Sequence, residues 1–374
     1  MSSSKRIDSH VHVGVIGTTW PRCGKLSDWY RQTLGYRVFL MYAHVDPDNV
    51  SDETLHAATL RTVRECGLDQ VVALALDPVY DSETGARDET RSHMWVSNDY
   101  VVELAADQSG KFLFGCSVHP YDTRFVERVR TCVDRGAVLI KWLPSAQQID
   151  LADKRVLAAL EFLATAKNGR PLPLLLHVGH EYAIPTSDPR TTSWDYLTWG
   201  WRDRLANAFR RKAERWHTPK LDALHRNLEG GLAAGAVIIF AHAGTPYFTS
   251  GMMSTIFGEH SDFDRVRQYV AGNEGRPGKA YIDVSAFCTP FRAAFFDDIE
   301  KIDPRWVLYG SDFPTPAFEL SAGADEHEED FKAVIRGELE RVIIPEDNLL
   351  DVNFRELSLA FPGHPMFGNF EGLM

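Results

Sequence analysis

His10 and His12 lie two residues apart in the segment Ile7-Asp8-Ser9-His10-Val11-His12-Val13-Gly14. In an extended strand residues i and i+2 point to one face, about 6.5–7 Å apart along the chain, so two imidazoles so placed can close on a single metal ion. Three further candidate ligands or bases each end an apolar run. They are His177 in Leu174-Leu175-Leu176-His177, His242 in Ile238-Ile239-Phe240-Ala241-His242, and Asp312 in Val307-Leu308-Tyr309-Gly310-Ser311-Asp312. Neutral imidazoles and a carboxylate are donors that suit Zn²⁺, and an open coordination position distinguishes a catalytic from a structural site. Polar groups at the ends of four separate strand-like runs are hard to explain as packing alone.

The elements that must bring these groups together can be read from the spacing of the apolar runs. Strands are expected at 5–12, 69–76, 112–118, 137–142, 172–177, 236–242, 280–285 and 306–310. The runs are apolar throughout, as strands buried on both faces should be. Amphipathic stretches lie between them at 52–66, 96–108, 123–135, 151–168, 218–234, 262–271, 290–301 and 325–342. Asp150 is read as the N-cap of the fourth, and Gly169-Arg170-Pro171 as its stop. Regular strand–helix alternation implies parallel strands with right-handed crossovers. Eight strands are the number a closed barrel needs, so the expected fold is α/β: a distorted (β/α)8 TIM barrel over residues 1–374, as one domain.

Two stretches exceed a minimal barrel, residues 14–50 after the first strand and 178–217 after the fifth. Both are rich in aromatics, with Trp20, Trp29, Tyr30, Tyr36, Phe39 and Tyr42 in one and Tyr182, Trp194, Tyr196, Trp199, Trp201 and Trp216 in the other. Such insertions serve as lids, pocket walls or interfaces, and a homodimer is the expected assembly. The chain of 374 residues is 44% hydrophobic and 25% charged, an ordinary globular balance. Its net charge of −12 argues against nucleic acid or an anionic membrane as partner. Met1-Ser2-Ser3-Ser4-Lys5-Arg6 leads into the first strand without an apolar signal core, so a cytoplasmic location is expected. The cysteines (Cys23, Cys66, Cys116, Cys132, Cys288) are odd in number and never spaced Cys-x-x-Cys, which argues against a disulfide framework.

In order and spacing these segments resemble the amidohydrolase superfamily, and within it the amidohydrolase-2 group that includes aminocarboxymuconate semialdehyde decarboxylase. The resemblance rests on Ile7-Asp8-Ser9-His10-Val11-His12, His177, His242-Ala243-Gly244, Tyr309-Gly310-Ser311-Asp312-Phe313-Pro314 and Asn353-Phe354-Arg355-Glu356-Leu357. It implies that His10, His12, His177 and Asp312 hold one divalent ion, with Zn²⁺ expected and Mn²⁺, Fe²⁺ or Co²⁺ compatible. An ion so held lowers the pKa of bound water towards ~7. Asp312 is then a proton acceptor as well as a ligand, and His242 orients the water or polarises the substrate. The competing view of His177 and His242 is that they are satisfied core histidines.

Lys141, in Ile140-Lys141-Trp142-Leu143-Pro144, ends the fourth strand. In binuclear relatives a lysine there is carboxylated and bridges two metals. The flanking residues resemble the mononuclear group more closely, so Lys141 is read as a substrate or structural contact and a binuclear site as the alternative. His119 either lines the pocket or caps the next helix. His180 begins the expected substrate loop, and Arg292, Arg202 and Arg204 could bind a substrate carboxylate bidentately. The acidic run 325–330 is read as a helix start rather than a metal cluster.

The first functional expectation is a metal-dependent hydrolase cleaving an ester, lactone or amide of a small, carboxylated substrate. The second is a non-oxidative decarboxylase of an aromatic or unsaturated carboxylic acid in the same site. The third, of another class, is a barrel without catalysis that acts as a binding protein.

Overall fold

The computed structural model describes residues 4–179, 184, 221–246, 261–318 and 347–374. Its centre is a sheet of eight strands in sequence order: β1 (Ile7–His12), β2 (Gln70–Leu74), β3 (Phe112–Cys116), β4 (Leu139–Trp142), β5 (Leu174–Leu176), β6 (Val237–Phe240), β7 (Lys279–Asp283) and β8 (Val307–Leu308). Every neighbouring pair runs parallel. The chain after β8 returns to β1 through Ser9 N to Tyr309 O at 3.1 Å, His12 N to Phe313 O at 2.9 Å and Asp312 N to His10 O at 2.9 Å. These bonds draw the sheet into a (β/α)8 barrel.

Alternation along the strands sorts their side chains into two layers. Ile7, Val72, Leu74, Leu139, Leu175, Ile239 and Leu308 form one buried cluster, closed off by Phe370 from the C-terminal segment. Val71, Ala73, Ile140, Leu174, Leu176, Ile238, Phe240 and Ile282 belong to the larger cluster that packs against the helices. Strand β1 departs from strict alternation, because its register against β2 slips between Asp8 and Val11. Such a bulge leaves a backbone donor without a ladder partner. Asp8 supplies the acceptor, with its Oδ1 taking His10 N at 3.0 Å and also Ser311 N at 3.0 Å. Beyond the slip, Val11 joins the helix-facing layer and His10 and His12 share the inner face.

The expected strands are all present, several trimmed by a few residues. Helices occupy Asp52–Glu65, Asn98–Ala105, Phe125–Asp134, Lys154–Leu163, Leu221–Ala234 and Phe263–Ala271. Ser51 opens the first of these with a capping box. The cap of Lys154–Leu163 is Asp153, whose carboxylate accepts from Arg155 N, and not Asp150. Asp150 instead accepts from Ala152 N at 2.9 Å in the preceding turn. The single helix expected at 290–301 is two short ones, Pro290–Ala293 and Phe296–Ile299.

The insertion at 14–50 folds as a strand, Gly24–Leu26, paired with Met94–Val96, and a helix, Leu34–Tyr42. The buried Asp52 carboxylate ties it down by accepting from Gly17 N, Thr19 N and Trp20 N at 2.8, 2.8 and 3.0 Å. Of the insertion at 178–217 only 178, 179 and 184 are among the described residues, and the acidic run 325–330 lies outside them. Among the described residues no helix is long and apolar enough to cross a membrane.

Candidate metal centre

Barrel geometry puts the residues at or just after the carboxyl ends of β1, β4, β5, β6, β7 and β8 around one mouth. His10 and His12 come from β1, Lys141 from β4, His177 from the residue after β5, His242 from the turn after β6, Asp283 from β7 and Asp312 from the turn after β8. Two of these turns use left-handed backbone. His242 and Ala243 have φ of 57° and 52°, and Asp312 has φ of 63°. Such conformations cost non-glycine residues of order 1–3 kcal/mol and persist where surrounding bonds over-determine them. Here the bonds are His242 N to Asp283 Oδ1 at 2.7 Å and Asp312 N to His10 O at 2.9 Å.

Three donor atoms meet at the centre. His10 Nε2 and His12 Nε2 are 3.2 Å apart, and Asp312 Oδ1 lies 3.3 Å from the first and 3.2 Å from the second. A tetrahedral ion with bonds of about 2.0–2.1 Å needs donors about 3.3–3.4 Å apart, so the triangle fits the edges of one coordination tetrahedron. His10, His12 and Asp312 are the residues that could hold a metal ion among the described residues. The protonation pattern agrees. His10 Nδ1 faces Asp283 Oδ2 at 2.9 Å, a carboxylate that can only accept, so Nδ1 carries the proton and the Nε2 lone pair faces the triangle. Burial lowers the His10 pKa to about 4, helped by the Lys141 ammonium, and keeps the ring in its neutral, ligating form. Burial works against charge on Asp312, but His242, His10 and the bond to His12 outweigh it and hold the carboxyl well below its usual range. Its second oxygen accepts from Thr315 Oγ1 at 2.9 Å, which fixes the plane of the group.

The other expected residues divide by position. The His242 ring stacks on His10 with centroids 5.4 Å apart, and its Nδ1 is 3.9 Å from Asp312 Oδ2. His177 packs edge-on against His242 at 5.1 Å and is outside the three-donor set. Burial first, then the charges of its neighbours, drives its pKa well below the ordinary value. Lys141 is wholly buried, with Nζ 3.0 Å from His10 Nε2. Arg292 is buried after β7, and its positive charge helps lower both His177 and His242.

His119 is held by its neighbours. Its Nε2 pairs with Gln147 O at 2.9 Å, its Nδ1 accepts from Tyr121 N at 3.1 Å, and Tyr80 stacks on its ring. Both nitrogens are used within the protein, so the residue braces the loops after β3 and β4. His180, Arg202 and Arg204 lie outside the described residues.

Asp283 and Asp8 were not anticipated. Asp283 ends an apolar run in Ala280-Tyr281-Ile282-Asp283, the same signal that marks His177 and Asp312, and that signal could have found it. Asp8 is embedded in the histidine motif, and burial pushes its carboxyl up to about 7.

The model of the amidohydrolase family (Amidohydro_2) matches residues 7–344. Among solved structures, the chain is similar to 5-carboxyvanillate decarboxylase from Sphingomonas paucimobilis, at 15% identity and a TM-score of 0.44, covering 96% of this chain and 99% of that one. A probable 2-pyrone-4,6-dicarboxylic acid hydrolase from Acinetobacter baumannii aligns at 12% identity and a TM-score of 0.41, over 94% and 99% of the two chains. The IDCase of Metarhizium anisopliae aligns at 15% identity and a TM-score of 0.49, over 99% and 95%. No curated protein sequence matches the chain. With the family match running from the first barrel strand to beyond the last, the chain belongs to the amidohydrolase-2 family.

Proposed function

We propose that the chain is a metal-dependent hydrolase acting on an ester, lactone or amide carbonyl of a small substrate that carries a carboxylate. The observation that supports it most is the triangle of His10 Nε2, His12 Nε2 and Asp312 Oδ1, with sides of 3.2–3.3 Å and a His10 lone pair aimed inward by Asp283. These three residues would hold one divalent ion, with Zn²⁺ the first expectation and His177 the proposed further donor. Once bound, such an ion supplies Lewis acidity that polarises a carbonyl and lowers the pKa of water towards ~7.

The remaining work falls to the chain's own side chains. Asp312 is ionised at neutral pH and lies beside the donor triangle, so it can take the proton of an attacking water and return it to the departing oxygen or nitrogen. His242 is neutral, its pKa lowered to about 3 by burial and by Arg292, so it serves without charging first. Arg292 brings a fixed positive charge to the same mouth and would pair a substrate carboxylate, setting its orientation.

A substrate screen tests the reading directly. The metal-loaded protein would be offered lactones, esters, amides and aromatic or unsaturated carboxylic acids, with carboxylic acid products and CO₂ both followed by mass spectrometry and the proton released from esters and lactones by a pH indicator. Acid release without CO₂, abolished by a chelator, is expected. CO₂ release would replace the hydrolase with a decarboxylase in the same site, and binding without turnover would leave a non-catalytic barrel.

A further inference from the structure

We propose that Asp283 and Ser285 are positioning residues that lock both His10 and His242 as Nδ1–H tautomers, so that each ring keeps its Nε2 free of a proton. The Asp283 side chain is completely buried, and its two oxygens serve different histidines. Oδ2 accepts from His10 Nδ1 at 2.9 Å. Oδ1 accepts from His242 N at 2.7 Å, from Ser285 N at 3.1 Å and from the Ser285 hydroxyl. One carboxylate therefore sets the ring of His10 and the left-handed backbone of His242 together.

The His242 tautomer follows from what surrounds its Nδ1. Ser285 gives its single hydroxyl proton to Asp283, which leaves Oγ an acceptor towards His242 Nδ1 at 2.8 Å. The Ser285 carbonyl oxygen, which has no proton to give, is 3.1 Å from the same nitrogen. Asp312 Oδ2, another acceptor, is 3.9 Å away. A nitrogen met by acceptors must carry hydrogen itself. The opposite tautomer would set a bare lone pair against the carbonyl and require the hydroxyl to turn away from Asp283. In the resting protein His242 Nε2 is thus an acceptor: it can take a hydrogen bond from water or a hydroxyl and has no proton to deliver. That consequence rests on the proposed reaction; the tautomers themselves do not.

The experiment is two-bond ¹H–¹⁵N correlation NMR on metal-free, ¹⁵N-histidine-labelled protein at neutral pH, with His10 and His242 assigned. The expected wild-type result is a pyrrole-like Nδ1 and a pyridine-like Nε2 at both residues. A protonated Nε2 at either residue overturns the proposal, whatever any variant does. Ser285→Ala is expected to change the His242 pattern and leave His10 as it was, with Ser285→Thr restoring the wild-type pattern. A His242 pattern unmoved by Ser285→Ala removes Ser285 from the device. Asp283→Asn is expected to disturb both rings at once. No substrate or metal enters the measurement, so its outcome and that of the hydrolysis screen are read separately.

Discussion

Removing one corner of the donor triangle should separate metal binding from folding. His12 is suited to this, because its side chain is 17% exposed and its truncation leaves the barrel core intact. The remaining donors, His10 Nε2 and Asp312 Oδ1, stay 3.3 Å apart but offer only one of the three edges. An ion present at a hundred times its dissociation constant stabilises the native state by about 2.7 kcal/mol, and at a thousand times by about 4.1 kcal/mol. With an unfolding entropy of about 2.1 cal/mol/K per residue, a chain of 374 residues has a total of about 0.8 kcal/mol/K. The wild-type Tm should therefore rise by about 3–5 °C between chelated and Zn²⁺-loaded protein. His12→Ala should melt near the wild type when metal-free and lose most of that rise. Scanning calorimetry with metal content measured on the same samples is the assay, and the wild type should hold close to one ion per chain. A His12→Ala protein that keeps the full rise, or a wild type that melts identically with and without chelator, would refute the assignment. Running His177→Ala in parallel decides whether that ring is a further donor, since a donor's loss lowers the metal content and a packing residue's loss lowers only the metal-free Tm.

Two further outcomes follow from buried carboxylates away from the metal. Asp52→Ala strands the amides of Gly17, Thr19 and Trp20 without an acceptor; at about 1–3 kcal/mol each, discounted for water reaching the loop, the loss should be about 3–5 kcal/mol in urea titration, with faster hydrogen exchange at those three amides and not elsewhere in the barrel. Burial opposes the charge on Asp122, yet its bonds from Arg124 N at 2.8 Å and Arg128 Nη1 at 2.6 Å keep its pKa below the ordinary 3.8. A depressed folded-state pKa contributes stability that is present above 3.8 and lost as pH falls through the lower value, so Asp122→Asn should lower stability at neutral pH and flatten the acid limb of a stability–pH curve.

The barrel strands are legible in the chain because strands covered on both faces must be apolar at nearly every position, and Leu174-Leu175-Leu176 or Val237-Ile238-Ile239-Phe240 admit little else. A polar residue ending such a run is conspicuous, and that brought His10, His12, His177, His242 and Asp312 forward. What stayed hidden depends on approach between distant segments. The slip in β1 is a property of its pairing with a strand some sixty residues later. Asp283 has a meaning only once β7 lies beside His10 and the turn after β6. His119 has the right type and a plausible place, but Gln147 and Tyr121 consume its nitrogens, and nothing local announces either partner.

The slip in β1 also explains how one short segment can serve two purposes. Ile7 and His10 are three positions apart, which in an unbroken pleat sends them to opposite sides. A straight version of this strand would face a choice. It could seal the base of the barrel with Ile7 and bury both imidazoles among the helices, or open the imidazoles to the mouth above a gap in the base. One additional residue on one edge removes the conflict, and it marks the level at which the barrel stops being a plug and becomes a reaction vessel.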